Sequence, residues 1–409
     1  MSKEALEGIR VLDLSRILAG PTAAQMLGDF GAEVIKVERP GVGDDARRLG
    51  GASLNGLDGT PLGLAPMYVS SNRNKKSLTL DLSHPEGQAL ARDLACWADV
   101  LIENYKTGDL ARYGLDYASL SVINPRLVYC SVTGFGQSGP YAARAGFDAV
   151  FQAMGGLMSV SGHRDGQPGD GPLRVGVPIS DFIGGVHAYG AILTALYCRD
   201  RVTGRGQHVD LALLDTTIAA VAIAAADYAS SGKVPPRAGN GALWAVPTEP
   251  FPCKDGLVQL SAPSDAMFVR VCRALERPDL AADPRFSVNA QRVKHRSELI
   301  ELMRGLTRQL TRAELVARLE AAGAPGAPIN DISEVMVDPH VVQREDFCDV
   351  PHPAAGSIRF GTSPLRLSDT PAVRRAPPPL LGEHSDWVLE NVLKLDAARI
   401  ADLKERKVV

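Results

Sequence analysis

The chain has no large excess of either charge. Across its 409 residues, 44 Lys and Arg stand against 47 Asp and Glu, interspersed, for a net charge of −3. That leaves no electrostatic footprint for nucleic acid, and no nucleic-acid partner is expected. Its six cysteines (Cys96, Cys130, Cys198, Cys253, Cys272 and Cys348) lie far apart with no CxxC pair. A disulfide framework and a cysteine-rich zinc site are thereby excluded, and a reducing compartment fits. The eight histidines show none of the tight helical spacings of zinc ligands, so no metal is expected. No GxGxxG fingerprint and no Walker lysine pattern occur, which argues against NAD and nucleoside triphosphates. The opening MSKEALEGIRVLDLS has no long apolar stretch of the signal-peptide kind, and a cytoplasmic location is expected. Residues 182–198 and 209–226 are the most apolar regions. They carry Ala, Gly, Thr and Asp215, and read as buried helices of a protein with no membrane partner.

What is present points to an α/β fold. The pattern predicts a strand over 9–14, a helix over 21–30, a strand over 33–38, a helix over 85–96, and strands over 78–82, 100–103 and 127–132. This alternation implies an open, Rossmann-like parallel sheet whose ligand lies beyond the carboxyl ends of the strands. Helices follow at 182–199 and 209–229, then a linker, SSGKVPPRAGNG, at 230–241. Beyond it come strands near 245–252 and 257–262, helices near 265–275, 295–308 and 312–322, and a closing loop over 323–330. The expected organisation is a large α/β domain over 1–225, a smaller α/β domain over 226–330, and a segment, 331–409, that returns to the large domain.

Several turns can hold an anionic ligand. Ser15-Arg16-Ile17-Leu18-Ala19-Gly20-Pro21 leaves the first strand and enters a helix, where backbone N–H groups can receive a phosphate or carboxylate. Arg39 ends the second strand and offers a fixed fork of donors. Asn72 to Lys76 adds positive charge. Asn104-Tyr105-Lys106 follows a strand, with Arg112 further on, and together they offer an amide, a ring and cations. Each of these, taken alone, is equally an ordinary surface turn.

The segment VGVPISDFIGGVHAYGAILTALY sets Asp181 at the mouth of an apolar helix. By itself such an aspartate reads as an N-cap, which would also hold it ionised and available as a nucleophile. Gly184 and Gly185 cost about 1 kcal/mol each against alanine in a helix interior, which implies a close neighbour, either a helix or a ligand.

The stretches VLDLSRILAGPTAAQMLGDFGAEVIKVERP, NRNKKSLTLDLSHPEG, ADVLIENYKTG, NPRLVYCSVTGFGQSGP, GFDAV, DFIGG, TGRGQHVDLALLD and PPPLLGEHS resemble, in order, the class III CoA-transferases, the carnitine and bile-acid CoA-transferase family. The resemblance implies a CoA-binding large domain, an intertwined homodimer, and acyl-CoA and small carboxylates as substrates. It implies reversible CoA transfer, most in the character of enzymes using succinyl-CoA and dicarboxylates, through aspartyl anhydride and aspartyl-CoA thioester intermediates, with coenzyme A and neither metal nor NAD. Asp181 matches the catalytic aspartate. Ile17, Ala19, Arg39, Asn104, Tyr105 and Arg112 match the CoA site, and Lys75, Lys76 or Lys106 compensates where Thr133 replaces a lysine found in some members. The DFIGG amides or a glycine-containing loop, here Gly239-Asn240-Gly241, are expected to serve an oxyanion. Arg16, Arg174 or Arg237 can anchor a substrate carboxylate. Racemase members carry a histidine where this chain has Phe147, which cannot move a proton, so 2-methylacyl-CoA epimerisation is the lesser reading and non-catalytic CoA binding another.

Overall fold

Alternate residues of a strand point to opposite faces, and in the central strands here both sets are apolar, which suits a sheet covered on both sides. The computed structural model describes residues 4–373 and 376–409. Its main sheet contains β1 (Arg10–Asp13), β2 (Glu33–Glu38), β3 (Lys75–Thr79), β4 (Val100–Glu103), β5 (Val128–Thr133) and β6 (His208–Ala212), all parallel, in the order β6-β5-β4-β1-β2-β3. This is the doubly wound order, reversing between β1 and β4.

Leu12, Ile35 and Leu101 face one side, where Leu90 and Leu94 of helix α2 (Pro85–Trp97) and the late residues Val388, Leu389, Leu403 and Val408 complete a core. Val11, Val34, Ile102 and Val128 face the other side. There they meet Ala23 and Leu27 of α1 (Ala19–Asp29), Phe151 of α3 (Asp148–Met154), and Ile192 and Leu196 of α4 (Ile179–Cys198).

The chain divides into two compact units, one of residues 1–157, 175–222 and 340–409, the other of residues 158–174 and 223–339. The segment 158–174, placed by sequence within 1–225, therefore groups with the second unit. That unit holds an antiparallel sheet of β7 (Thr248–Cys253), β8 (Gly256–Ser261) and β9 (Gly326–Pro328). Phe251, Val258 and Leu260 of the sheet pack with buried side chains of α7 (Asp265–Ala274), α8 (Arg296–Thr307) and α9 (Arg312–Ala322).

Two sequence expectations change. The run from 209, read as one helix, opens with β6 and continues as α5 (Leu213–Ala220) and α6 (Ala222–Ser231). Five residues running straight into a helix are too few for periodicity to separate the two. Nor are the apolar helices simply buried. By length and composition the helix through 179–203 could cross a membrane, and its α4 part buries one face while exposing Phe182, Val186 and Tyr197. Helix α6 buries none of its residues.

Candidate active site

The reversal of strand order opens a crevice between the ends of β1 and β4. At the end of β1, Ile17 adopts φ 71°, a left-handed conformation unusual for a β-branched residue and costing about 1–3 kcal/mol. Its neighbours over-determine that geometry. The Asp44 carboxylate accepts the Ile17 N–H at 3.1 and 3.2 Å. The Asn104 amide, just beyond β4, accepts the Arg16 N–H at 2.8 Å and donates to the Arg16 carbonyl at 2.6 Å. Beneath them Lys36, fully buried, donates to the Ser15 carbonyl at 2.8 Å and pairs with Asp44 at 3.0 Å.

Lys75 belongs to the same buried network, so the sequence expectation that it meets a ligand fails. It is 2 % exposed and donates to Asp13 at 2.8 Å, the Pro21 carbonyl at 2.9 Å and Asn72 at 2.9 Å. Burial lowers its ammonium to about 8 even though Asp13 favours the charge. Lys76 likewise pairs with Glu33 and stacks 3.8 Å over the Trp387 ring. Asn104 holds the turn through both ends of its amide.

The crevice is a groove of two joined parts. A cavity of about 350 Å³ is lined by Arg16, Ile17, Ala19, Asn104, Tyr105, Lys106, Thr133, Arg144, Phe147, Asp181 and Leu213. A second, of about 260 Å³, shares Arg16, Asp45 and Tyr105 with it and extends to Arg39, Ser83 and Tyr113. Arg16, Ile17, Ala19, Arg39, Asn104, Tyr105, Lys106, Phe147 and Asp181, scattered in the sequence, thus meet in one groove. Arg16 lies 4.9 Å over the Tyr105 ring. Arg112 lines neither part; exposed and 3.9 Å from Asp109, it sits 4.7 Å over the ring of Tyr113, which does. Sequence reasoning missed Arg144, a cation on the groove wall stacked 3.9 Å from Tyr141. Its only signal was its place just before GFDAV.

At the far wall α4 begins, and its cap is not Asp181. The Asp148 carboxylate, from α3, accepts the N–H of Ser180 at 2.7 Å and of Asp181 at 3.3 Å, while Gln152 donates to its other oxygen at 2.6 Å. Asp181 is therefore released from capping. Among the described residues its own carboxylate has no hydrogen-bond or ion-pair partner, and burial together with the Asp148 charge pushes it up to about 7.

Gly184 and Gly185 answer to helix packing. A Cβ at Gly184 would meet Leu213 at 2.3 Å, and one at Gly185 would meet the Ala19 carbonyl at 2.7 Å. Nor do the DFIGG amides stand free, as expected for an oxyanion. Asp148 takes the first, Phe182 N–H bonds the Pro178 carbonyl at 3.1 Å, and both glycines lie inside α4. Gly239, Asn240 and Gly241 line a separate cavity in the second unit. Arg237 is engaged there by Asp165 and by the His163 carbonyl at 3.1 Å, while Arg174 is exposed.

The sequence profile of CoA-transferase family III matches residues 6–385. The chain belongs to this family. It is an enzyme of the class III CoA-transferase type, acting on CoA thioesters. Among its family III relatives, a succinate–glutarate CoA-transferase of Agrobacterium fabrum is 43% identical over 95% of each chain. The human succinyl-CoA:glutarate CoA-transferase is 38% identical over 99% of this chain and 90% of its own length. The crystal structure of a CAIB/BAIF family protein from Brucella suis superposes with TM-score 0.86 at 39% identity, over 96% of this chain and all of that one.

Proposed function

We propose that this family III enzyme transfers CoA reversibly from succinyl-CoA to a small dicarboxylate such as glutarate, with Asp181 as the nucleophile. The observation that carries the reading is the unpartnered Asp181 carboxylate in the wall of a groove that also presents Arg16, Arg39, Lys106 and Arg144. CoA lies along the groove, its phosphates beside these cations, and its thioester reaches Asp181.

An Asp181 oxygen attacks the thioester carbonyl, the C–S bond breaks, and CoA leaves as thiolate. The thiolate then attacks the aspartyl carbonyl of the anhydride, releasing succinate and leaving CoA on Asp181. Glutarate attacks that thioester, re-forming an anhydride and the thiolate. Attack of the thiolate on the glutaryl carbonyl frees glutaryl-CoA and restores the carboxylate. Every acyl bond broken is replaced by one of similar energy, and dividing the exchange into attacks of this kind is the advantage of covalent catalysis. A second proton-transfer group, as epimerisation would need, is not supplied by Phe147.

The test is succinyl-CoA incubated with glutarate and the purified protein, followed for glutaryl-CoA and, by mass spectrometry of peptides, for an adduct on Asp181. Asp181→Asn should abolish both. Full exchange by that variant would end the proposal.

The working form is proposed to be an intertwined homodimer. A second copy would cover the apolar residues left open on α4, Phe182 (50% exposed) and Tyr197 (68%), and on α6, Ile223 (78%) and Tyr228 (54%). Light scattering that reports a single chain at micromolar concentration would refute it.

A further inference from the structure

Apart from the groove, the second unit contains a cavity of about 480 Å³ whose lining includes four arginines, Arg164, Arg296, Arg304 and Arg308. Two carboxylates answer them. Glu249 lies 3.5 Å from Arg296 and 3.1 Å from Arg304, and Glu301 lies 3.0 Å from Arg304. Arg164 and Arg308 have no ion-pair partner among the described residues, so the lining carries uncompensated positive charge. Arg164 is aimed by its own Nε–H, which donates to the Ala238 carbonyl at 2.9 Å, and Arg296 by a bond to the Leu243 carbonyl at 3.3 Å.

Glycine at position 241 keeps the convergence point open. A Cβ there would lie 2.8 Å from an Arg164 nitrogen, 3.3 Å from an Arg296 nitrogen and 3.3 Å from a Glu249 oxygen. The burial of Arg296 and the charge of Arg164 both work against its guanidinium, which an anion between them would relieve. Pro250, Pro252, Leu257 and Ile300 supply an apolar stretch of the same lining. Cations beside an apolar stretch match a molecule with carboxylates at the ends of a methylene chain better than they match a compact inorganic anion.

We propose that this cavity binds a small dicarboxylate, Arg164 and Arg308 supplying the free donors and the apolar stretch receiving its methylene groups. The choice of a dicarboxylate among organic anions rests on the transfer reading above; the demand for an anion does not.

The experiment is calorimetric titration of the full-length protein with glutarate and, separately, with inorganic phosphate, in wild type, Arg164→Gln, Arg308→Gln and Asp181→Asn. Arg308 is exposed at a helix end, so its variant should melt as the wild type does. Glutarate should bind wild type and Asp181→Asn alike, and about tenfold more weakly to each arginine variant. Phosphate should bind wild type at least about tenfold more weakly than glutarate. No glutarate binding by wild type, unchanged binding in both arginine variants, or phosphate binding as tight as glutarate would each overturn the proposal. Exchange assays on the same preparations separate the two ideas. Arginine-dependent glutarate binding without CoA exchange refutes the transfer reading alone. Full exchange without arginine-dependent glutarate binding refutes the dicarboxylate site alone.

Discussion

The two walls of the groove treat charge in opposite ways. At the end of β1 the buried charges of Lys36 and Lys75 are answered by Asp44 and Asp13, and the amide of a strained Ile17 by Asp44 again. At the start of α4 one carboxylate, Asp148, takes three donors and, among the described residues, its neighbour Asp181 takes none. A wall that grips a ligand by shape needs fixed geometry, which paired groups supply. A wall that reacts needs one group left over.

The largest expected effect breaks the reactive side. Asp181→Asn should lower CoA exchange by at least about a thousandfold, read as glutaryl-CoA formed per minute, with the protein still folded. Next comes the paired side. Asp44→Ala leaves Lys36 with a buried, poorly answered charge and frees the Ile17 amide, and should cost about 3 kcal/mol in denaturant unfolding. A loss below about 1 kcal/mol would show that the network does not hold the turn.

The proton on Asp181 gives a third contrast. The nucleophile must be ionised, so the exchange rate with subsaturating succinyl-CoA should rise with pH through about 7. For stability the sign is the reverse. A carboxyl held above its ordinary value binds its proton more tightly in the folded chain, so its contribution falls as pH rises from the ordinary range through about 7. Asp181→Asn should therefore melt higher than wild type at pH 8 and alike at pH 4. Equal melting at both would mean that the carboxylate is solvated after all.

Asp148→Asn sharpens the comparison more gently. It removes the neighbouring charge while leaving an oxygen to accept from Ser180, so the rate profile should move to lower pH and stability drop by about 1 kcal/mol. The smallest effect is expected of Ile17→Gly. Relief of the φ 71° strain and added freedom of the unfolded chain should leave stability within about 1 kcal/mol, while CoA binding, measured by calorimetry, weakens as the turn loses its fixed shape.

Much of this was legible in the chain. Strands β2 and β4 were evident at the residue, because short apolar runs between turns leave little freedom. Arg16, Arg39, Tyr105 and Asp181 stand out in the sequence as residues at strand ends and a helix start, the places where a parallel sheet gathers its ligand site. What stayed hidden depended on distant partners. Nothing near Asp181 in sequence says that its helix is capped from Asp148, 33 residues upstream. Lys75 looks like a surface cation until Asp13, 62 residues away, is found to hold it inside. The glycine pair announced a close neighbour but not which one, since Leu213 and Ala19 arrive from other elements.

Capping from a different helix has one more consequence. Because Asp148 supplies the carboxylate that α4 requires, position 181 is structurally dispensable, and the scaffold tolerates other side chains there without forfeiting the helix. Chemistry at that spot is thus free to drift, or to be redesigned, on an unchanged frame.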